Sequence, residues 1–137
     1  MAYLRIPFLF LLIAITLTPE VSYAEISKVE KVASEIARQF NSDSESMKDD
    51  IIVSSSAEAN GSNVTMKFVW RVKRDLSKQM LDELRLDLYK DIVPKTCRVN
   101  SNNPAFKDGL SYTFVYISHY AQLLAKILVN KRTCNDK

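Results

Sequence analysis

The sequence predicts an α+β domain in which helices pack on a four-stranded antiparallel sheet made of two hairpins. Two segments, 26–40 and 76–92, carry apolar residues at helical spacing. Two others, 64–73 and 110–117, alternate with a period of two, and Asn60-Gly61 is the strongest hairpin signal in the chain. The predicted order of elements is α-β-β-α-α-β-β, with one disulfide.

The first 24 residues have the pattern of an export signal. Arg5 precedes an apolar run from Ile6 to Leu17, which is shorter than the roughly 20 residues that a spanning helix needs. Ser22-Tyr23-Ala24 supplies the small residues that a signal peptidase recognises, so we expect cleavage after Ala24. We then expect a single domain, residues 25–137, in the periplasm or secreted. Because no cysteine precedes Cys97, we expect no acylated N-terminus and no stable membrane anchor.

The composition excludes several classes of function. The chain has 19 Lys and Arg against 16 Asp and Glu, a net charge of +3 that is too small to favour a nucleic-acid partner. One His and two Cys are too few for a four-ligand zinc site without several carboxylates. Two glycines leave no Gly-rich phosphate loop. We therefore expect no metal, no cofactor and no nucleic-acid partner.

The two cysteines, Cys97 and Cys134, predict a disulfide. An exported protein folds in an oxidising compartment, where an isolated pair of cysteines is most simply interpreted as one bond. Closing this loop removes chain entropy from the unfolded state, worth about 4 kcal/mol. The spacing is not the C-x-x-C of a catalytic dithiol.

The elements of the first half are read from periodicity and turn residues. An amphipathic helix covers Ile26–Phe40, and the polar residues 41–46 form a loop after it. A strand at Asp50–Ser56 leads through Asn60-Gly61 into a second strand at Val64–Lys73, which has one apolar and one largely basic face.

The second half begins with another amphipathic helix. Asp75 is its predicted N-cap and Pro94 its predicted end, so that Cys97 follows it. Ser101-Asn102-Asn103-Pro104 predicts the start of a short helix that Gly109 ends. The last hairpin is predicted at Leu110–Ile117 and Leu123–Val129, with its turn at residues 118–121.

No catalytic constellation stands out in the chain. Catalysis at neutral pH usually needs a tunable base beside a nucleophile, or a pair of carboxylates in a cleft. His119 is the only imidazole, and its place in a predicted turn is typical of an exposed surface residue. Asp49-Asp50 and Asp82-Glu83 are adjacent in sequence, so their side chains diverge. We expect a protein without catalytic residues that is not an enzyme.

A groove between helix and sheet edge is the first candidate binding surface. Trp70, Leu76, Met80 and Leu84 would line it, and a partner helix could lie in it. Packing in the core explains these residues at least as well.

A basic strand face is the second candidate. Alternate placement puts Lys67, Arg71 and Lys73 on one side of the second strand, where they could meet an acidic partner. The alternative is that they are the solvated side of the sheet.

From residue 28 the chain runs through a helix (KVEKVASEIARQF), a hairpin with a glycine turn (AEANGSNVTMKFVW), a helix into Cys97 and a short helix ending at Gly109. An aromatic strand (LSYTFVY) and Lys131-Arg132-Thr133-Cys134 complete the series. This order resembles the β-sheet-containing type II secretion pilotins and small periplasmic proteins of the same plan. The resemblance implies a Cys97–Cys134 disulfide and a binding role, in which a secretin segment is held and escorted to the outer membrane. Pilotins of that class are lipoproteins, and this sequence lacks the cysteine for acylation.

We therefore expect an exported, non-enzymatic binding or accessory protein of a secretion or envelope-assembly system. The alternative is a periplasmic inhibitor or immunity protein against a toxin or a wall-degrading enzyme. The partner is a secretin-like segment in the first case and a toxin or enzyme in the second. A groove binder depends on apolar residues, whereas an inhibitor depends on exposed residues such as Lys67, Arg71, His119 or Tyr120.

Overall fold

Helices and strands succeed one another through residues 23–136, the part of the chain that this computed structural model describes. The predicted leader, residues 1–24, lies outside it except for its last two residues. Over the described range no helix has both the length and the apolar character that a bilayer-spanning segment requires. A turn of 3₁₀ helix, Ser44–Met47, follows the first helix. The helices are α1 (Tyr23–Asp43), α2 (Lys78–Asn100), α3 (Pro104–Lys107) and α4 (Lys131–Asn135), and the strands are β1 (Ile52–Asn60), β2 (Asn63–Trp70), β3 (Ser111–Ser118) and β4 (Leu123–Val129).

The sheet is mixed, so the prediction of a purely antiparallel sheet was wrong. The strands lie in the order β1-β2-β3-β4. Both predicted hairpins are present and antiparallel, but β2 and β3 pair in parallel, from Asn63 beside Ser111 to Trp70 beside Ser118. The cause is the connection between the hairpins, because α2 and α3 carry the chain back to the end of the sheet at which β2 begins.

The helices cover one face of the sheet, which we call the covered face. Helix α1 packs on β1 and β2, and α2 packs on β4. Between them the aromatic rings of the central strands fill the layer. Phe68 of β2 stacks on Tyr116 of β3 at 5.0 Å, and Phe40 of α1 meets the ring of Phe68 edge-on at 5.8 Å. Among the hydrophobic residues that the structure describes, those with no exposed area are Ala33, Val64, Leu110, Leu124 and Val129.

Helix α1 confirms the helix predicted from residue 26 and continues to Asp43. Val29, Ala33 and Ala37 are buried and lie four positions apart, and therefore on one side of the helix. Two of the three are alanines, which allow the helix axis to approach the sheet closely.

Helix α2 begins later than predicted. Its N-cap is Ser77 in place of Asp75, and the Ser77 hydroxyl accepts a hydrogen bond from the N–H of Met80 at 3.3 Å. The shift follows from Gln122, whose side chain binds the N–H and the C=O of Leu76 at 2.8 and 3.0 Å. Those two backbone groups are engaged outside the helix, so the helical turns begin after them.

Helix α2 also ends later than predicted, because Pro94 lies inside it and Cys97 belongs to it. Proline has no N–H to offer the carbonyl of Lys90, but both residues are exposed and water can reach that carbonyl. Val93 and Asn100, before and after the proline, are buried and hold both parts of the helix against the domain.

The first hairpin is confirmed with shifted strand limits. Strand β1 runs to Asn60 and β2 ends at Trp70, so the two-residue turn is Gly61-Ser62. Gly61 has a φ of +59°, which glycine adopts without steric cost. The sequence did not predict α4, which starts at a capping box between Asn130 and Thr133.

Candidate functional site

The predicted disulfide is present between Cys97 of α2 and Cys134 of α4, with 5.5 Å between the Cα atoms. It ties the C-terminal helix to the last two turns of α2. Neither cysteine is free. The bond places α4 beside the end of α2, and a cleft opens between these two helices and α3.

This disulfide cleft has a volume of about 770 Å³. Its lining comes from three segments, residues 93–101, 106–107 and 131–136. Val93, the buried ring of Phe106 and the disulfide itself give it an apolar floor. The volume lies in the range of roughly 300–1,000 Å³ that is typical of ligand pockets.

The rim of the disulfide cleft is mainly cationic. Arg98, Lys107 and Lys131 line it, and Asp136 is the one carboxylate among its lining residues. Within the described residues, none of the three cations lies within 4.0 Å of a carboxylate oxygen. An apolar floor below unpaired cations suits a ligand that is both apolar and acidic.

Asn100 holds one wall of the cleft in place. It is buried, with 5% of its surface exposed, and its Oδ1 accepts hydrogen bonds from the Tyr112 hydroxyl at 3.1 Å and from Nδ2 of Asn103 at 3.0 Å. Its own Nδ2 donates to the carbonyl of Thr96 at 2.9 Å. Burial raises the pKa of Tyr112, so its hydroxyl stays a neutral donor. The network ties α2, α3 and β3 together at the cleft.

The predicted groove residues divide between core and surface. Trp70, Leu76 and Leu84 are half-buried and pack against the core, whereas Met80 is 44% exposed. The Trp70 ring meets Tyr116 edge-on at 5.0 Å. Its Nε1–H is buried and has no acceptor among the described residues. The structure therefore packs three of the four against the core and leaves the fourth at the surface.

The predicted basic residues do not share one strand face. Lys67 is exposed on β2, on the face opposite the helices. Arg71 and Lys73 lie in the connection after the strand ends at Trp70, and the N–H of Arg71 donates to the carbonyl of Ile51 at 2.7 Å.

His119 lies in the β3–β4 turn, as predicted, and is exposed. The backbone N–H of His119 donates to the carbonyl of Trp70 at 2.8 Å, and its ring atom Nδ1 accepts a hydrogen bond from the backbone N–H of Val72 at 3.2 Å. Its ring lies 4.0 Å from that of Tyr120. The imidazole thus fastens the connection after β2 to the turn. Over residues 23–136 no three His, Cys, Asp or Glu side chains are grouped so that they could hold a metal ion.

Sequence reasoning missed the disulfide cleft. Arg98, Lys107 and Lys131 belong to separate helices and show no shared pattern in the chain. The one signal that pointed to it was the pairing of Cys97 with Cys134, which requires that the segments around them meet.

Comparison of sequences finds no matching family model and no matching curated protein. Comparison of structures does find matches. The type II secretion pilotin AspS from Vibrio cholerae is 20% identical, with a TM-score of 0.59 over 80% of this chain and 95% of AspS. The pilotin EpsS of the Vibrio vulnificus type 2 secretion system is 14% identical, with a TM-score of 0.61 over 82% of this chain and 97% of EpsS.

A third match is the protein PA3611 from Pseudomonas aeruginosa. It is 10% identical, with a TM-score of 0.58 over 82% of this chain and 97% of PA3611. All three matches span nearly the whole of the other protein. The chain therefore has a pilotin-like fold, as the order of its elements predicts.

Proposed function

We propose that this chain is an exported, non-enzymatic accessory protein of a secretion system that binds a segment of a secretin. The observation that carries the proposal is the shared fold with two type II secretion pilotins, which extends over 95–97% of those chains. Because one fold can serve several functions, the proposal also needs a surface that can bind a peptide segment. The inhibitor alternative has no comparable support from the structural matches.

The disulfide cleft is the surface that we assign to this binding. Its apolar floor can take the apolar side chains of a segment, and Arg98, Lys107 and Lys131 can pair with acidic ones. The bonds of Asn100 and the disulfide fix the walls before a ligand arrives, which lowers the conformational cost of binding. We expect the bound segment to be amphipathic and acidic.

The proposal places the protein in the periplasm, after removal of residues 1–24. The Cys97–Cys134 bond supports this location, because such a bond persists in an oxidising compartment.

A binding titration tests the proposal. The exported protein is titrated by calorimetry with peptide segments that together cover the type II secretin encoded in the same genome. We expect saturable one-to-one binding, which the double variant Arg98→Glu/Lys131→Glu weakens at least about tenfold. The control, Lys31→Glu/Lys90→Glu, makes the same change in net charge at two exposed positions outside the cleft. Absence of binding by the unmodified protein, or equal weakening in the control, would contradict the proposal.

A further inference from the structure

The face of the sheet opposite the helices, which we call the open face, carries an apolar area on β3 and β4, next to the polar residues Ser111 and Thr113 of β3. Val115 and Ile117 of β3 point to it and are half-buried. Leu123 and Leu128 of β4 point to it as well and are 47% and 51% exposed. On β1 the same face carries Ser54, Ser56 and Glu58.

Such strands are typical of sheets that are covered on both sides. A strand with one face in water alternates apolar and polar residues, whereas a strand buried on both faces is apolar nearly throughout. Strand β2 alternates only in part. Strand β4 (LLAKILV) follows the second pattern except at Lys126, and β3 (SYTFVYIS) follows it from Phe114 to Ile117, after a first half that alternates. Within the described residues the helices pack on the covered face alone, so the apolar half of the open face lacks the cover that its sequence indicates.

The strand register places a lysine on each side of Val115, which lies in this apolar area. Val115 is flanked by Lys67 on β2 and by Lys126 on β4. Two strand spacings separate the lysines, about 10 Å. In the part of the chain that the structure describes, neither lies within 4.0 Å of a carboxylate. A cover that is apolar and supplies negative charge at two points would complement both the apolar area and the two lysines.

We propose that the open face over β2–β4 binds an amphipathic helix of a protein partner, with two acidic residues seven positions apart on its apolar side. Seven residues of helix rise about 10 Å and return to the same side, which matches the spacing of Lys67 and Lys126. The helix crosses the strands above Val115. Ile117 and Leu123 contact one flank of it, and Leu128 contacts the other.

The charges favour this occupant over two others. A second copy of this chain would bring like charges together, because each copy would present the same two lysines. An anionic lipid surface is usually recognised by clusters of about four to eight basic residues. The open face over β2–β4 carries two lysines, Lys67 and Lys126, and the same face of β1 carries the acidic Glu58. The proposal does not depend on the secretin, since it uses a different surface from the disulfide cleft.

A designed peptide pair tests it. The probes are an amphipathic helical peptide of about 18 residues with two glutamates seven apart on its apolar side, and the same peptide with lysines there. The exported protein, labelled with ¹⁵N, is titrated with each. We expect amide shifts at Val115, Ile117 and Leu128 but not at Arg98 or Lys131, and at least about tenfold tighter binding of the glutamate peptide.

Charge reversal completes the test. Lys67→Glu/Lys126→Glu should reverse the preference between the peptides, while Lys31→Glu/Lys90→Glu, with the same net charge, should preserve it. Both lysine pairs are exposed, so thermal melting should show that all variants fold. Equal binding of both peptides, or shifts confined to the cleft, would overturn the proposal. Dimers of the protein that Leu128→Ser abolishes would also overturn the proposal. Binding to phosphatidylglycerol vesicles, combined with equal affinity for the two peptides, would overturn it as well.

Discussion

The side-chain amide of Asn41 binds both backbone groups of Ala57. Nδ2 of Asn41 donates to the carbonyl of Ala57 at 2.8 Å, and the N–H of Ala57 donates to Oδ1 of Asn41 at 2.7 Å. Asn41 lies near the end of α1 and Ala57 in the middle of β1, which is an edge strand. The contact fastens the helix to the sheet and occupies edge groups that could otherwise pair with a strand of another molecule.

Replacing Asn41 with Ala should destabilise the domain. Both hydrogen bonds are lost together, and we expect a decrease of about 1–2 kcal/mol in the free energy of unfolding, or roughly 4–8 °C in melting temperature. Chemical denaturation and thermal melting measure the two quantities. Gln39→Ala, at an exposed position two residues away in the same helix, is the control and should change little. Equal effects of the two substitutions would show that the Asn41 contact adds no stability.

Gln122 makes a second contact of the same kind, with Leu76. It fastens the segment before α2 to the segment before β4. Gln122→Ala should therefore speed hydrogen exchange at residues 72–77 and cost about 1–2 kcal/mol of stability. Hydrogen exchange followed by mass spectrometry locates the change. Faster exchange spread evenly over the domain, with none specific to that segment, would argue against a local role.

Loss of the disulfide should lower stability more than loss of either amide contact. We expect Cys97→Ser/Cys134→Ser to cost about 2–4 kcal/mol, because the unfolded chain regains the freedom that the closed loop removes. Guanidinium unfolding of the oxidised and the substituted protein measures the difference. The double variant should be insensitive to reductant, while the unmodified protein should lose stability when reductant is added. A midpoint that does not move in either experiment is the contrary result.

The raised pKa of Tyr116 predicts that the domain loses stability in alkaline solution. Burial, and the nearby charge of Asp91, raise its pKa from 10.0 to about 12. The folded state thus holds a proton that the unfolded chain releases near pH 10, so this contribution is complete below pH 10 and is lost as the pH rises toward 12. The melting temperature should fall more steeply over that interval for the unmodified protein than for Tyr116→Phe. Parallel curves would mean that Tyr116 does not contribute.

Local patterns predicted the elements well but not how they connect. The last strand, Leu123–Val129, has the predicted limits, and α1 lies where residues 26–40 showed helical periodicity. The parallel pairing of β2 with β3 was not predicted, because alternation within a strand carries no information on the direction of its neighbour. The prediction that Pro94 ends the helix was wrong. Pro94 lies on the exposed side of α2, where water can take the place of the N–H that the carbonyl of Lys90 lacks.

The candidate functional site was harder to predict from the sequence than the fold. A count of cysteines was enough to predict the Cys97–Cys134 bond. The cations of the cleft, Arg98, Lys107 and Lys131, come together only through tertiary packing. Asn41 belongs to the polar segment 41–46, which was predicted as a loop. Its hydrogen bonds to Ala57 depend on where α1 crosses β1.

The most direct test of the proposed function is the amount of assembled secretin in the outer membrane of cells that lack this protein. We expect detergent-resistant secretin multimers to disappear from the outer-membrane fraction on deletion of the gene. The unmodified protein and Lys31→Glu/Lys90→Glu should restore them, whereas Arg98→Glu/Lys131→Glu, exported at equal level, should not. Normal multimers in the deletion strain, or full restoration by the cleft variant, would contradict the account.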